Sequence, residues 1–239
     1  MTGLPVPAGR RICFAIALLA TSLLAGSAVP FTPSAVANDA TRPRTDWAPP
    51  NPTTAGSASL TAPGLPLTAG PVAVPLELRL PTVDIAAAVL GVGIDAAGAM
   101  DAPMGPPGDA VWQQAFWYRG SSVPGAFSTA VIAGHVDGGG LPAAFAHLDD
   151  LRPGDPIVVH NTKTGVDMQF SVTGSESIPL EQTTNPAVLS RIYGVGPVVG
   201  SRPLASTDGR SHLTLITCAG TFRNGTHDHR LVVHATRVT

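Results

Sequence analysis

Three apolar runs in this 239-residue chain end or begin on a side chain able to do covalent chemistry. Cys218 follows Leu213-Thr214-Leu215-Ile216-Thr217 and precedes Ala219-Gly220, where a strand is expected to stop. His135 closes Val131-Ile132-Ala133-Gly134, and Arg230 opens Leu231-Val232-Val233-His234-Ala235. If each run is a strand, thiol, imidazole and guanidinium all sit at strand ends, where they could meet at one rim of a barrel. A cationic neighbour favours the thiolate, which is the nucleophilic form of cysteine. An arginine also donates to an oxyanion developing on an attacked carbonyl. The plainer reading of a lone cysteine is a buried structural thiol. Arg223 competes with Arg230 for the arginine role, or is a solvated loop residue; Arg230 is preferred because it directly opens a predicted strand.

Other candidate groups point to less. His227, His229 and His234 have the spacing of metal ligands. They lack a second cysteine or a carboxylate cluster beyond Asp228, so exposed loop histidines are expected and no metal site. Asp137 lies two residues after His135, on the same face of an extended chain, which permits an orienting role for the imidazole. A turn-capping aspartate is the preferred reading. Gly91 and Gly93 lack the third glycine and the helix of a nucleotide-binding loop, so no cofactor is expected.

The elements that must hold these groups are short. Candidate strands are Leu76–Leu80, Ile85–Leu90, Ala130–Ala133, Pro156–His160, Met168–Thr173, His212–Thr217 and Leu231–Val238. Gly138–Gly140, Pro153–Asp155 and Asn224–Gly225 carry turn chemistry between them. Only Pro142–Leu148 and Pro186–Ile192 read as helical. Many short strands with frequent turns predict an all-β sandwich or closed barrel. With 44% apolar but only 5% aromatic residues, the core must be built from Val, Ile, Leu and Ala. Fourteen basic against sixteen acidic side chains give a net charge of -2, which offers nucleic acid no electrostatic footprint.

The N-terminal part reads as targeting and reach. Arg10 and Arg11 precede an uncharged apolar run, Ile12 to Ala25, and small residues follow at Ala35-Val36-Ala37. Residues 1–37 are therefore a secretory signal or a retained membrane anchor, and either places the rest outside the cytoplasm. Cys13 lies inside that run and is no partner for Cys218. Residues 38–75 are rich in proline, alanine and threonine without apolar periodicity, as expected of a stiffened, unfolded spacer. The folded domain is expected over residues 76–239.

The motifs together resemble a family. Thr214-Leu215-Ile216-Thr217-Cys218 is similar to the Thr-Leu-x-Thr-Cys signature of sortases, the cysteine transpeptidases of mainly Gram-positive cell surfaces. Val131 to Asp137 resembles their histidine-bearing strand end, and Phe145, Leu148, Leu151 and Pro153-Gly154-Asp155 the stretch that follows it. The wording around Gly134-His135-Val136-Asp137 and Leu215 to Phe222 is most similar to the actinobacterial class F group. The resemblance implies a closed eight-stranded barrel with one or two short helices. It implies cleavage of a Leu-Pro-x-Thr-Gly-like sorting signal on surface proteins. The acyl group then passes to an amine of a peptidoglycan precursor or a pilin. It makes Cys218 the nucleophile, His135 the general acid and Arg230 the oxyanion or substrate-orienting group. An exported cysteine peptidase that only hydrolyses, and an idle surface barrel that only binds, are the rival readings.

Substrate contacts are expected beside these three. Thr217 shapes the pocket or is an ordinary strand residue. In the long connection from Gly174 to Arg210, Ile178, Pro179, Leu180, Ile192, Tyr193 and Val195 either wall an apolar groove for the Leu-Pro part of the signal or pack the short helix. Leu65-Pro66-Leu67-Thr68-Ala69 in the spacer itself resembles a sorting signal. It is a chance match in a biased segment, or a stretch that reaches the enzyme's own groove and competes with substrate.

Overall fold

The computed structural model of the protein describes residues 60, 65–96, 98–194 and 203–238. Among the described residues there are ten strands: β1 (Val72–Leu80), β2 (Ile85–Val92), β3 (Ala115–Tyr118), β4 (Thr129–Gly134), β5 (Asp137–Gly138), β6 (Leu141–Pro142), β7 (Pro156–Asn161), β8 (Val166–Pro179), β9 (His212–Arg223) and β10 (Thr226–Arg237). Eight of them close a barrel in the order β1-β2-β3-β4-β9-β10-β8-β7, while β5 and β6 form a separate hairpin beside it. The pairs β2–β3 and β4–β9 are parallel; the other six contacts around the barrel are antiparallel. One α-helix, α1 (Pro186–Tyr193), lies in the β8–β9 connection. Asn185 caps it by accepting from the Ala187 amide at 2.9 Å, and Pro186 opens its first turn.

Apolar periodicity explains which strands were legible. In β1, Leu76, Leu78 and Leu80 turn into the barrel while Glu77 and Arg79 turn out. In β4 all six residues are buried. Ala130 and Ile132 face the barrel interior with Leu78, Leu80, Phe145, Ile157, Leu213 and Leu215. Val131 and Ala133 face outward, into a second cluster with Ile216, Val232, Phe116 and the α1 residues Val188, Ile192 and Tyr193. A strand covered on both sides has no polar face, so its run of apolar residues is unbroken. Each fully buried Val, Leu or Ile adds roughly 1.5–3 kcal/mol.

Several boundaries differ from expectation. β1 starts at Val72, four positions before Leu76, because Val72 and Ala73 already pair with Gly91 and Leu90. β8 runs to Pro179, since Gly174 to Ser177 continue the ladder opposite His234 to Leu231 although their side chains are polar and solvent-facing. The short strand β3, only four residues long and buried throughout, was not expected. No helix forms over Pro142–Leu148. The Ala146 and Leu148 amides instead donate to carbonyls only three residues back, those of Ala143 and Phe145, at 3.0 and 3.2 Å, so the stretch is a run of tight turns leading into the 3-10 turn Leu148–Asp150. Among the described residues no helix is long and apolar enough to cross a membrane; the apolar run at residues 12–25 lies outside them.

Candidate active site

The barrel register brings the three chemistry-bearing residues to one rim. Arg230 is the direct antiparallel partner of Cys218 across β9 and β10. On the other side of β9, the parallel ladder with β4 pairs Ala133 with Ile216, and two positions further along the two chains stand His135 and Cys218. Between them the Thr217 hydroxyl donates to the Gly134 carbonyl at 2.8 Å, locking the end of β4 to β9. Cys218, His135, Arg230 and Thr217 are each about 1% exposed. Arg223, the competing arginine, sits at the exposed tip of the β9–β10 hairpin, opposite Thr226.

The strand carrying Cys218 does not stop at Ala219-Gly220. It kinks there and runs on to Arg223, turning through Asn224 and Gly225, both at positive φ. The kink is a β-bulge: the register slips between His227 and His229, and Gly220 takes φ of +77°. The Asp228 carboxylate accepts from the bulge amide of Thr221 at 2.8 Å and from His229 Nδ1 at 2.7 Å. Those bonds, the His229 bond foremost, hold the Asp228 carboxyl below its ordinary range.

Each functional side chain is braced. His135 Nε2 lies 2.9 Å from the Pro103 carbonyl, and because a carbonyl only accepts, that nitrogen carries the proton. The imidazole is held edge-on between Trp112 and Phe116, at centroid distances of 4.7 and 5.3 Å. Its backbone carbonyl accepts from the Phe145 amide. Close packing explains part of the Gly138–Gly140 run: a Cβ on Gly138 would fall 2.4 Å from the Trp112 ring. One amino group of Arg230 donates to the carbonyls of His229 and His227, at 2.8 and 3.3 Å. Arg230 Nε is buried and meets no acceptor among the described residues.

Ile178, Ile192 and Tyr193 lie together in the outer apolar cluster, where they seat α1 on the faces of β4, β9 and β10. The Tyr193 ring stands edge-on to Tyr118 at 5.7 Å, and burial pushes both phenols above their usual pKa, so the wall is neutral. Leu180 is only half-buried, in the 3-10 turn Leu180–Gln182, and Val195 lies outside the described residues. Met100 is buried in the same cluster, and Ala102 and Val111 pack against it. The β2–β3 connection that carries them thus closes over the rim.

The spacer stretch behaves differently from the competing segment that its sequence suggested. Arg119 donates to the carbonyls of Pro66, Leu67, Ala69 and Gly70, and the Ile94 amide to Leu67 at 2.9 Å. Arg119 and Ile94 follow the ends of β3 and β2 remote from Ala115, which pairs with Gly134. Residues 65–70 are therefore pinned at the opposite end of these strands from His135.

The three histidines of β10 are strand residues rather than exposed loop residues. Each meets its own carboxylate: His227 with Asp137 at 3.2 Å, His229 with Asp228 at 2.7 Å, His234 with Glu176 at 3.1 Å. No group of metal-ligating side chains is present among the described residues. His227 is the residue the sequence reading undervalued. The only signal for it was its place three positions before Arg230.

A sequence profile of the sortase domain matches residues 78–238. Among solved structures the chain is similar to a lid mutant of sortase A from Corynebacterium diphtheriae, at 22% identity over 69% of each chain and a TM-score of 0.47. It is similar to sortase C-1 from Actinomyces oris, at 21% identity over 69% of this chain and 73% of that one, with a TM-score of 0.45. A sortase C1 structure from Streptococcus agalactiae, in complex with MTSET, matches at 20% identity over 69% and 67%, with a TM-score of 0.47. No curated protein matches the sequence.

Proposed function

The chain belongs to the sortase family, and from that premise we propose that it is a cysteine transpeptidase working through Cys218, His135 and Arg230. The observation that carries the reading is the pairing of Arg230 with Cys218, with a buried guanidinium nitrogen still lacking an acceptor. A buried donor without a partner calls for a ligand, and the oxyanion of an attacked carbonyl beside Cys218 is the group that satisfies it.

The Cys218 thiolate attacks the threonine carbonyl of a Leu-Pro-x-Thr-Gly-like signal, and Arg230 donates to the oxygen as negative charge develops there. His135 gives a proton to the departing glycine amine as the peptide bond breaks, leaving a thioester on Sγ. An incoming amine attacks that thioester, gives its proton to His135, and the thiolate leaves. The amine belongs to a peptidoglycan precursor or a pilin, and the acyl donors are surface proteins carrying the signal. Half-buried Leu180 borders the apolar wall along which the Leu-Pro part runs, and Ile178, Ile192 and Tyr193 support that wall from beneath α1. Residues 1–37 export the chain and anchor it or are removed, the part of the spacer ahead of Leu60 holds the barrel away from the membrane, and the enzyme acts outside the cytoplasm. Its local wording places it nearest class F.

The test is a cleavage assay on a quenched Leu-Pro-x-Thr-Gly peptide with and without an amine acceptor, with products identified by mass spectrometry. Cys218-dependent joining of the Leu-Pro-x-Thr fragment to the amine is expected. Hydrolysis alone at saturating amine indicates a peptidase. No Cys218-dependent reaction across a panel of signals indicates a barrel that only binds.

A further inference from the structure

We propose that His227 is a positioning residue that ties together the three chain segments bearing Cys218, His135 and Arg230. The inference rests on the assignment of those three residues made above. His227 lies on β10, and its side chain is only 12% exposed. Its Nε2 is 3.2 Å from the carboxylate of Asp137, which opens β5 two residues after His135. Its Nδ1 packs 3.5 Å from the Gly220 carbonyl, two residues after Cys218. Its backbone carbonyl accepts from the Arg230 guanidinium at 3.3 Å. The Phe222 ring covers its outer side at a centroid distance of 5.1 Å.

The imidazole therefore reaches the segments two residues beyond His135 and Cys218, while the backbone carbonyl of the same residue meets Arg230. The Asp137 contact is the one link that crosses between chain segments far apart in sequence. β5 belongs to a small hairpin outside the barrel ladder, so the barrel's own hydrogen bonds do not fix its distance from β10. Against the Asp137 carboxylate, which only accepts, Nε2 is the donor. The other nearby carboxylate, Asp228, is spent on Thr221 and His229 and braces the bulge instead. Catalysis that depends on placing an imidazole, a thiol and a guanidinium is sensitive to small displacements of any one of them. His227 touches none of the reacting atoms, so its effect must run through the positions of those it ties.

The experiment compares His227→Ala, His227→Gln and Asp137→Asn in the full chain. Gln keeps a donor near the place of Nε2, and Asn at the half-exposed position 137 keeps the shape, so both retain the fold. Two readouts are taken: kcat and KM on the signal peptide, and the pH profile of Cys218 alkylation by iodoacetamide, which needs no knowledge of the substrate. For His227→Ala, kcat falls about ten-fold while KM stays within about two-fold, a loss confined to the transition state. The alkylation profile of His227→Ala moves in the same direction as that of His135→Ala, and His227→Gln restores it toward wild type. In the double variant His227→Ala/Asp137→Asn the two losses are not additive, as expected of a pair acting through one contact. An alkylation profile for His227→Ala superimposable on wild type, or a rise in KM at constant kcat, overturns the proposal. If the wild type cleaves no signal peptide, the transpeptidase reading fails, and the alkylation profiles still decide the role of His227.

Discussion

Arg230 stands directly across the β9–β10 ladder from Cys218, with its whole side chain buried and one guanidinium nitrogen held by two backbone carbonyls. Directly opposed residues in an antiparallel pair project to the same face, so the guanidinium and the thiol share the outer rim of the barrel. Val232 and Ile216, the next pair on that face, lie in the outer apolar cluster beneath α1. Charge placed there is desolvated, and a donor aimed at a developing oxyanion gains strength accordingly.

Arg230→Ala is expected to lower kcat by about 10²–10³, the range seen when one oxyanion donor is removed. Arg230→Lys does not restore it, because an ammonium lacks the planar fork that lets one nitrogen rest on carbonyls while another faces substrate. Arg223→Ala, at the exposed hairpin tip, leaves steady-state kinetics near wild type. Equal losses from the two alanine variants would reverse the assignment.

Thr217→Val removes the hydroxyl that donates to the Gly134 carbonyl and leaves that oxygen buried without its partner. The expected cost is about 1–3 kcal/mol of stability, read from urea unfolding. Thr217→Ser keeps the donor and recovers most of it. A valine variant as stable as wild type would show that β4 and β9 need no lock beyond their ladder.

How much of this was legible before the fold was known depends on which physical signal each part carries. The strands with a buried face announce themselves through period-two or unbroken apolar runs, as in Leu76 to Leu80 and Val131 to Ala133. Cys218, His135 and Arg230 drew notice as reactive side chains at the ends of such runs, and the register sets them at one rim. The bulge at Gly220 was read as a strand end, since a glycine in an apolar strand signals a break and a kink alike. Polar stretches that keep pairing, such as Gly174 to Ser177, leave no apolar trace. The pairing of His227 with Asp137 spans ninety residues, and no local pattern encodes so distant a contact.

Gly220→Ala tests the bulge. The residue holds φ of +77°, and an added Cβ would fall 2.1 Å from Asp228 Oδ1. Backbone strain of about 1–3 kcal/mol and displacement of the Asp228 clamp are both expected. Because Cys218 is two residues away, kcat drops along with the unfolding midpoint. A variant with lowered midpoint but unchanged kcat would mean that the bulge stabilises the hairpin without aiming the thiol.

Glu176 gives the helix that covers the outer cluster a pH dependence. Its carboxylate takes two bonds from Arg191 of α1, at 3.1 and 3.0 Å, and one from His234. Arg191 first, then His234, holds its pKa below the usual glutamate value. A depressed carboxylate contributes stability above its unfolded pKa of about 4.3 and loses it as pH falls through the folded value. Since Arg191 is half exposed, solvent screening keeps the contribution small. The difference in Tm between wild type and Glu176→Gln should therefore be present at neutral pH and shrink on acidification below the unfolded value. A gap that widens in acid would contradict this sign.

The rim is closed over its own chemistry, and Met100 is the residue through which that closure can be tested. The β2–β3 connection places Met100 in the outer cluster and sets the Pro103 carbonyl on the His135 Nε2 proton. In the proposed mechanism a substrate carbonyl must reach Cys218, which is 1% exposed, and His135 must release the Nε2 proton now directed at Pro103. Productive binding must displace the segment, so its seating energy is subtracted from the apparent affinity of every substrate. Truncating Met100 to alanine removes a buried side chain worth roughly 2–5 kcal/mol to a packed site. Since the loss falls on a connection rather than on the barrel interior, it weakens the closed state more than the fold. Met100→Ala is expected to speed Cys218 alkylation at neutral pH several-fold and to lower KM for the signal peptide, with kcat little changed. Pro103→Gly should act in the same direction by loosening the backbone that presents the carbonyl. Slower alkylation in both variants would instead make the segment part of the substrate's wall, needed in place for the thiol to react.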